Sequence, residues 1–199
     1  MSVETAALNA APLEGEQNPY LRYRERLDSY EAVRDGRMSD EQFVDLVSEI
    51  DSNVEQVWGR GFLVSPLIDG SALAAQAGIE SRLSIKVEAG GVGGSHKSRH
   101  LMGVAIDKLV AERLGGPRAD NFAIASCGNA ALGAAVVARA LDRKLDVFVP
   151  TWADESVVTQ LNDLGASINT CERRDGEAGD PCYLRFREEV AAGSQPFSV

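Results

Sequence analysis

Histidine and cysteine are scarce in this sequence, with two and three copies among 199 residues. Cys127, Cys171 and Cys182 form no close pair, and only His96 and His100 could join them. The spacings of a zinc site are therefore missing, and no metal is expected. An odd cysteine count without an export signal reads as reduced thiols, with Cys171 and Cys182 as ordinary small side chains. Long apolar runs are missing as well: stretches such as 130–138 fall far short of the ~20 residues that span a bilayer. The start of the chain has no basic segment leading into an apolar one. A net charge of -10 leaves no basic surplus for a nucleic-acid backbone or an anionic membrane. These absences describe a soluble, cytoplasmic chain with neither nucleic acid nor membrane as partner. What it does contain, 44% apolar residues, suffices for one sizeable core and at most a short accessory piece.

Along the chain, residues 1–18 lack a periodic apolar face and read as a flexible arm. A helical lead over 19–60 follows. Tyr23, Leu27, Tyr30 and Val33 recur at helical spacing until Asp35-Gly36 stops them. Ser39 and Gln42 form a capping-box pattern for a second helix, whose apolar face carries Phe43, Leu46, Val47, Ile50, Val54 and Val57 before Gly59 ends it. From residue 83 the pattern becomes short strands alternating with helices, the signature of a wound, largely parallel α/β sheet with flanking helices. Strands are expected at 83–88, 122–125, 145–149 and 167–170, with helices at 97–114, 129–141, 155–164 and 183–192. The chain stops on Pro196-Phe197-Ser198-Val199 as another strand begins, so further sequence downstream is expected.

Two loops could carry chemistry. In the first, Gly90-Gly91-Val92-Gly93-Gly94 leads to Ser95, read as an N-cap, and to Lys97 in the first turn of a helix. There the amine sits at the positive end of the helix dipole, a suitable home for a nucleophilic lysine; a structural turn with a solvated lysine is the plainer reading. The loop fits neither the dinucleotide fingerprint nor a P-loop. In the second, Ser126-Cys127-Gly128-Asn129 follows a strand and opens an Ala-rich helix whose first N–H groups attract a carboxylate or phosphate. An ordinary strand-turn-helix junction with an Asn cap is its plainer reading. Both loops fall at carboxyl ends of strands, about one crossover apart, where a wound sheet binds ligands.

The pair Gly94-Ser95-His96-Lys97-Ser98-Arg99 and Ser126-Cys127-Gly128-Asn129, followed in order by the strand ending at Pro150 and the turn Leu164-Gly165-Ala166, resembles the fold-type II pyridoxal-phosphate (PLP) enzymes. That family includes threonine synthase, serine/threonine dehydratase, cysteine synthase and the tryptophan synthase β subunit. Asn18-Pro19-Tyr20-Leu21-Arg22-Tyr23 and Ser65-Pro66-Leu67 resemble opening segments of threonine synthases. The resemblance implies an incomplete tryptophan synthase β-like fold, with 61–199 as the N-terminal part of the enzyme. It implies that Lys97 is the catalytic lysine that carries PLP and that Asn129 hydrogen-bonds the cofactor's ring oxygen. Ser126, Cys127, Gly128 and Ala130 would surround the carboxylate of a small amino-acid substrate.

The implied activity is that of a PLP-dependent lyase, eliminating a β substituent from a small hydroxy or substituted amino acid as threonine/serine dehydratases and diamino acid ammonia-lyases do. A threonine synthase-like β,γ-replacement and a catalytically silent truncated fragment are the alternatives, and a homodimer stays open. His96 stands where the family has Phe, and Cys127 and Ala130 where it often has Ser/Thr and His or Thr, which leaves the substrate class open. The family's glycine-rich phosphate cup is not found. Gly176-Glu177-Ala178-Gly179-Asp180 is too acidic for it and reads as a surface turn.

Overall fold

Alternation of apolar side chains decides which way each strand faces, and the computed structural model, which describes residues 11–198, follows it closely. In β3 (Asn121–Ala125), Phe122 and Ile124 enter the main core while Ala123 points to a smaller cluster. In β4 (Lys144–Pro150), Leu145, Val147 and Val149 join the main core and Phe148 joins the smaller one. This two-residue period places apolar groups on both faces, so the sheet is covered on both sides. β5 (Ser167–Cys171) pairs parallel with β4, and β6 (Gln195–Pro196) pairs parallel with β3, giving the order β5-β4-β3-β6.

The helices divide between the two faces. α1 (Asp40–Trp58), α3 (Lys97–Arg113), α4 (Asn129–Ala140) and α5 (Glu155–Asp163) contribute to the main core. α6 (Pro181–Ala191) covers the opposite face, where Cys182, Phe186 and Val190 meet Ala123, Phe148 and Cys171. α1 begins with the expected capping box: the Gln42 N–H donates to Ser39 Oγ at 3.1 Å and the Ser39 N–H to Gln42 Oε1 at 2.9 Å. Gly59, left-handed at φ 82°, ends it. Ahead of α1, the expected helix over 23–33 is broken into short turns, with helical pieces at Pro19–Arg22 and Glu31–Arg34. Its Tyr30 packs edge-on against Phe43.

Three further findings differ from the sequence expectation. The strand expected at 83–88 covers Ser84–Lys86 (β2) and lies outside the parallel sheet, antiparallel to β1 (Leu67–Asp69) in a separate ribbon. β1 has three exposed residues, so no alternation marked it, and the short α2 (Ser71–Gln76) after it also went unrecognised. The arm expected over 1–18 lies outside the described residues up to position 10. From Leu13 it is tied down: the Leu13 N–H donates to Arg22 O, the Val64 N–H to Gln17 O, and buried Asn18 caps the turn at Pro19–Arg22.

The sheet is wound about β3. From β3 the chain steps outward to β4 and β5, then returns across the other face through α6 to place β6 on the free edge of β3. That edge is held by little backbone pairing. Phe197 compensates, fully buried and stacked on Phe122 with centroids 4.4 Å apart, its N–H donating to Ala123 O. Phe197→Ala should therefore lower stability by about 3–5 kcal/mol in urea unfolding, and a loss below about 1 kcal/mol would show that β6 docks without it.

Candidate active site at two helix N-termini

The first loop is shaped by a close approach of backbones. Gly93 (φ 64°) and Gly94 (φ 70°) turn the chain into extended Ser95, whose Oγ accepts the Lys97 N–H at 3.3 Å; the residue directly before α3 is His96, which provides no side-chain cap, so the cap position expected at Ser95 falls one residue further on. A side chain at Gly93 would reach within 2.5 Å of Ser98 Oγ, and one at Gly133 would lie 3.1 Å from Ser98 N and Cα. Ser98 is fully buried, and its hydroxyl donates to the Val92 carbonyl at 2.5 Å. The loop, the first turn of α3 and the second turn of α4 thus touch main chain to main chain. Gly93, at positive φ, leaves no room for a side chain, and one at Gly133 would press on Ser98.

Lys97 is the first residue of α3 and is half-buried. Its Nζ makes no hydrogen bond or ion pair with any described residue. His96 beside it is exposed. Asn129 is the first residue of α4, one turn ahead of Gly133 and on the same helix face. It is exposed, and the position before it, Gly128, supplies no side-chain cap. The Asn cap considered for this junction is therefore not the arrangement adopted, and the first N–H groups of α4 meet no capping side chain. Ser126, Cys127, Gly128 and Ala130 are all half-buried around this helix start.

The loop also lies where winding favours a ligand. β3 is the strand at which the connections reverse direction, and Ser126 leaves its carboxyl end. Beside it opens a cavity of about 880 Å³ whose wall includes Ser126, Cys127, Phe148, Trp152, Cys171 and Cys182. Lys97, Gly128, Asn129 and Ala130 do not line this cavity. The acidic turn at Gly176 and Gly179 is exposed, with Glu177 engaged by the Arg185 guanidinium. Among the described residues no cluster of three or more His, Cys, Asp or Glu could hold a metal, and no helix is long and apolar enough to cross a membrane.

Behind Lys97 sits a network that sequence reading missed. Glu88, just after β2, accepts from Arg99 Nε at 2.7 Å and from Ser65 Oγ at 2.5 Å. Arg99 Nη2 also donates to Ser65 Oγ at 2.6 Å and to the Leu63 carbonyl at 2.9 Å. Lys86 Nζ reaches Ser65 O, and Tyr20 donates its hydroxyl to the Arg99 carbonyl at 2.6 Å. Arg60 holds the Gly90 carbonyl. The two opening segments, with Tyr20 and Ser65, thus converge on the first turn of α3. The available signal was that Glu88 and Arg99 bracket the glycine loop. Burial alone would push the Glu88 carboxyl up, but the Ser65 hydroxyl and the Arg99 guanidinium outweigh it and hold the group below the usual carboxylate range.

With this geometry in view, comparison with known proteins is informative. Residues 60–197 match the family model described as pyridoxal-phosphate dependent enzyme. No curated protein matches the chain in sequence. Among solved structures, a pyridoxal 5'-phosphate-dependent aspartate racemase is 18% identical with a TM-score of 0.57, over 75% of this chain and 44% of the racemase. Diaminopropionate ammonia lyase from Escherichia coli, in complex with an aminoacrylate-PLP azomethine intermediate, is 21% identical with a TM-score of 0.54, over 75% of this chain and 40% of the lyase. An O-ureido-L-serine synthase mutant with O-ureido-L-serine bound is 20% identical with a TM-score of 0.52, over 66% and 39%. This chain spans 39–44% of the length of these structures. It belongs to the pyridoxal-phosphate dependent enzymes, a family whose cofactor is PLP.

Two measurements test the packing described here. Gly133→Val should force α3 and α4 apart and cost about 1–3 kcal/mol by thermal or urea unfolding, as overpacking does elsewhere; an unchanged stability would contradict the backbone contact. Because the Glu88 carboxyl is depressed on folding, its contribution is complete above its unfolded value of about 4.5 and is lost as the pH falls through the lower folded value. The stability difference between wild type and Glu88→Gln should therefore be constant near neutral pH and shrink in acid. A difference that grows in acid would reverse the assignment.

Proposed function

We propose that this chain supplies the lysine-bearing part, over 61–199, of a PLP-dependent lyase that eliminates a β substituent from a small hydroxy or substituted amino acid. The observation that supports this reading is the contact of Ser98 with Gly133, which packs the helix begun by Lys97 against the helix begun by Asn129. The residues fit the cofactor chemically. Lys97 Nζ has no described polar partner to give up before reacting with an aldehyde, and Asn129 is exposed with an amide able to donate to a ring oxygen. When bound, PLP takes up the electron pair left on the substrate's α-carbon.

The remaining work falls to the chain. The uncapped N–H groups at the start of α4, with Ser126, Cys127, Gly128 and Ala130 around them, would hold the substrate carboxylate and so aim its Cα–H bond. Lys97 Nζ would accept that proton as the general base. The likeness to diaminopropionate ammonia lyase favours elimination, releasing a 2-oxo acid and ammonia after hydrolysis.

The test is spectroscopic and chemical. Addition of PLP to the purified chain should give a new absorbance band that borohydride fixes onto a single peptide containing Lys97. Lys97→Ala should abolish both, and Asn129→Ala should weaken PLP binding by roughly tenfold, the worth of one hydrogen bond. Trapping at another lysine, or no band in the wild type, would overturn the assignment for this chain. With PLP bound, 2-oxo acid release from serine, threonine or diaminopropionate tests elimination separately.

A further inference from the structure

Two of the three cysteines play no part in the proposed chemistry, yet the fold brings them together. Cys171 ends β5 and Cys182 lies in the first turn of α6, where its N–H donates to the cap residue Asp180 at 2.8 Å. In sequence they flank an exposed acidic turn. In space both are buried in one small cluster with Ala123 and Phe148, where the Cys171 thiol donates to the Asn169 carbonyl at 3.3 Å. They are not sealed away, because both form part of the wall of the large open cavity that Ser126 and Cys127 also line.

From this geometry we infer that Cys171 and Cys182 are an oxidation site, a dithiol that a peroxide entering the cavity converts reversibly to an intramolecular disulfide. The inference is independent of the lyase assignment. The pair is asymmetric. Burial pushes both thiols up, Cys182 to about 12, while at Cys171 neighbouring Cys182 and the Arg185 guanidinium offset part of the rise. Cys171 is therefore the attacking sulfur. Its thiolate takes one peroxide oxygen, the O–O bond breaks, and the other oxygen leaves as water, giving a sulfenic acid. The Cys182 sulfur then attacks Cys171, the S–O bond breaks, and a second water leaves with the Cys182 proton. One peroxide is reduced to two waters, and two thiols are oxidised to one disulfide.

The bond would fasten the end of β5 to the start of α6 and close the loop between them into a ring. Because both residues belong to the cavity wall, oxidation would also stiffen one side of that cavity. Raised thiols react slowly at neutral pH, so the rate should climb with alkalinity.

The experiment treats the folded full-length chain with hydrogen peroxide and maps its peptides without reduction. The expected result is a linked Cys171–Cys182 peptide, loss of two of the three titratable thiols, reversal by dithiothreitol, and a Tm rise on the order of 5 °C from closing the loop. Cys127→Ser should crosslink as the wild type does, whereas Cys171→Ser and Cys182→Ser should not. If peroxide leaves Cys171 and Cys182 alkylatable after unfolding, or oxidises Cys127 alone or links it between chains, the inference is wrong. The wild-type peptide map decides the matter even if a serine variant fails to fold.

Discussion

The approach of Ser98 to Gly133 is the constraint on which the rest of the molecule depends. Two helices whose backbones come this close need a small residue on one side and a short, internally satisfied residue on the other. The serine hydroxyl meets that demand by turning back to the Val92 carbonyl, which fixes the glycine loop at the same time. One contact therefore sets the spacing of two helices and the path of the loop before α3. The Glu88, Arg99 and Ser65 network braces the outer side of the same helix start. It does so through short contacts, with both Glu88 carboxylate oxygens and the Arg99 Nε and Nη2 atoms engaged by protein partners.

The acidic balance of the chain and an anion-receptive site are compatible for a related reason. A net charge of -10 repels an extended polyanion, whose many phosphates would each meet the surface field. A single carboxylate feels mostly what lies within a few ångströms. At the start of α4 that is a set of backbone N–H dipoles, with no acidic residue in the first turn.

How much of this could be read in advance depended on the range of the interaction. Local signals were legible: the capping box of Ser39 and Gln42, the alternation in β3 and β4, and the helix begun by Asn129 all follow from neighbours a few residues apart. The two loops stood out because glycine runs and a serine-glycine-asparagine turn have local geometric meanings. What escaped was set by distant partners. β1 is fully exposed and exists through its pairing with β2, so no periodicity announced it. Placing β2 in the main sheet failed for the same reason, since short strands carry no mark of which partner they will choose. The meeting of Cys171 with Cys182 and of Tyr20 with Arg99 likewise comes from tertiary folding, which brings distant parts of the chain together.

The strand order carries a lesson about assembly. Of the four parallel strands, β6 comes last in sequence but lies beside β3, which comes first. During synthesis the growing chain can complete β3, β4 and β5 in turn, each joined to the next through a single crossover, while one edge of β3 waits unpaired until α6 has traversed the far face. For that interval an apolar strand edge bearing Phe122 is open to neighbours on the same ribosome cluster. The stack of Phe197 on Phe122 finally shuts that edge, so the docking of β6 is the step that takes it out of reach of other strands.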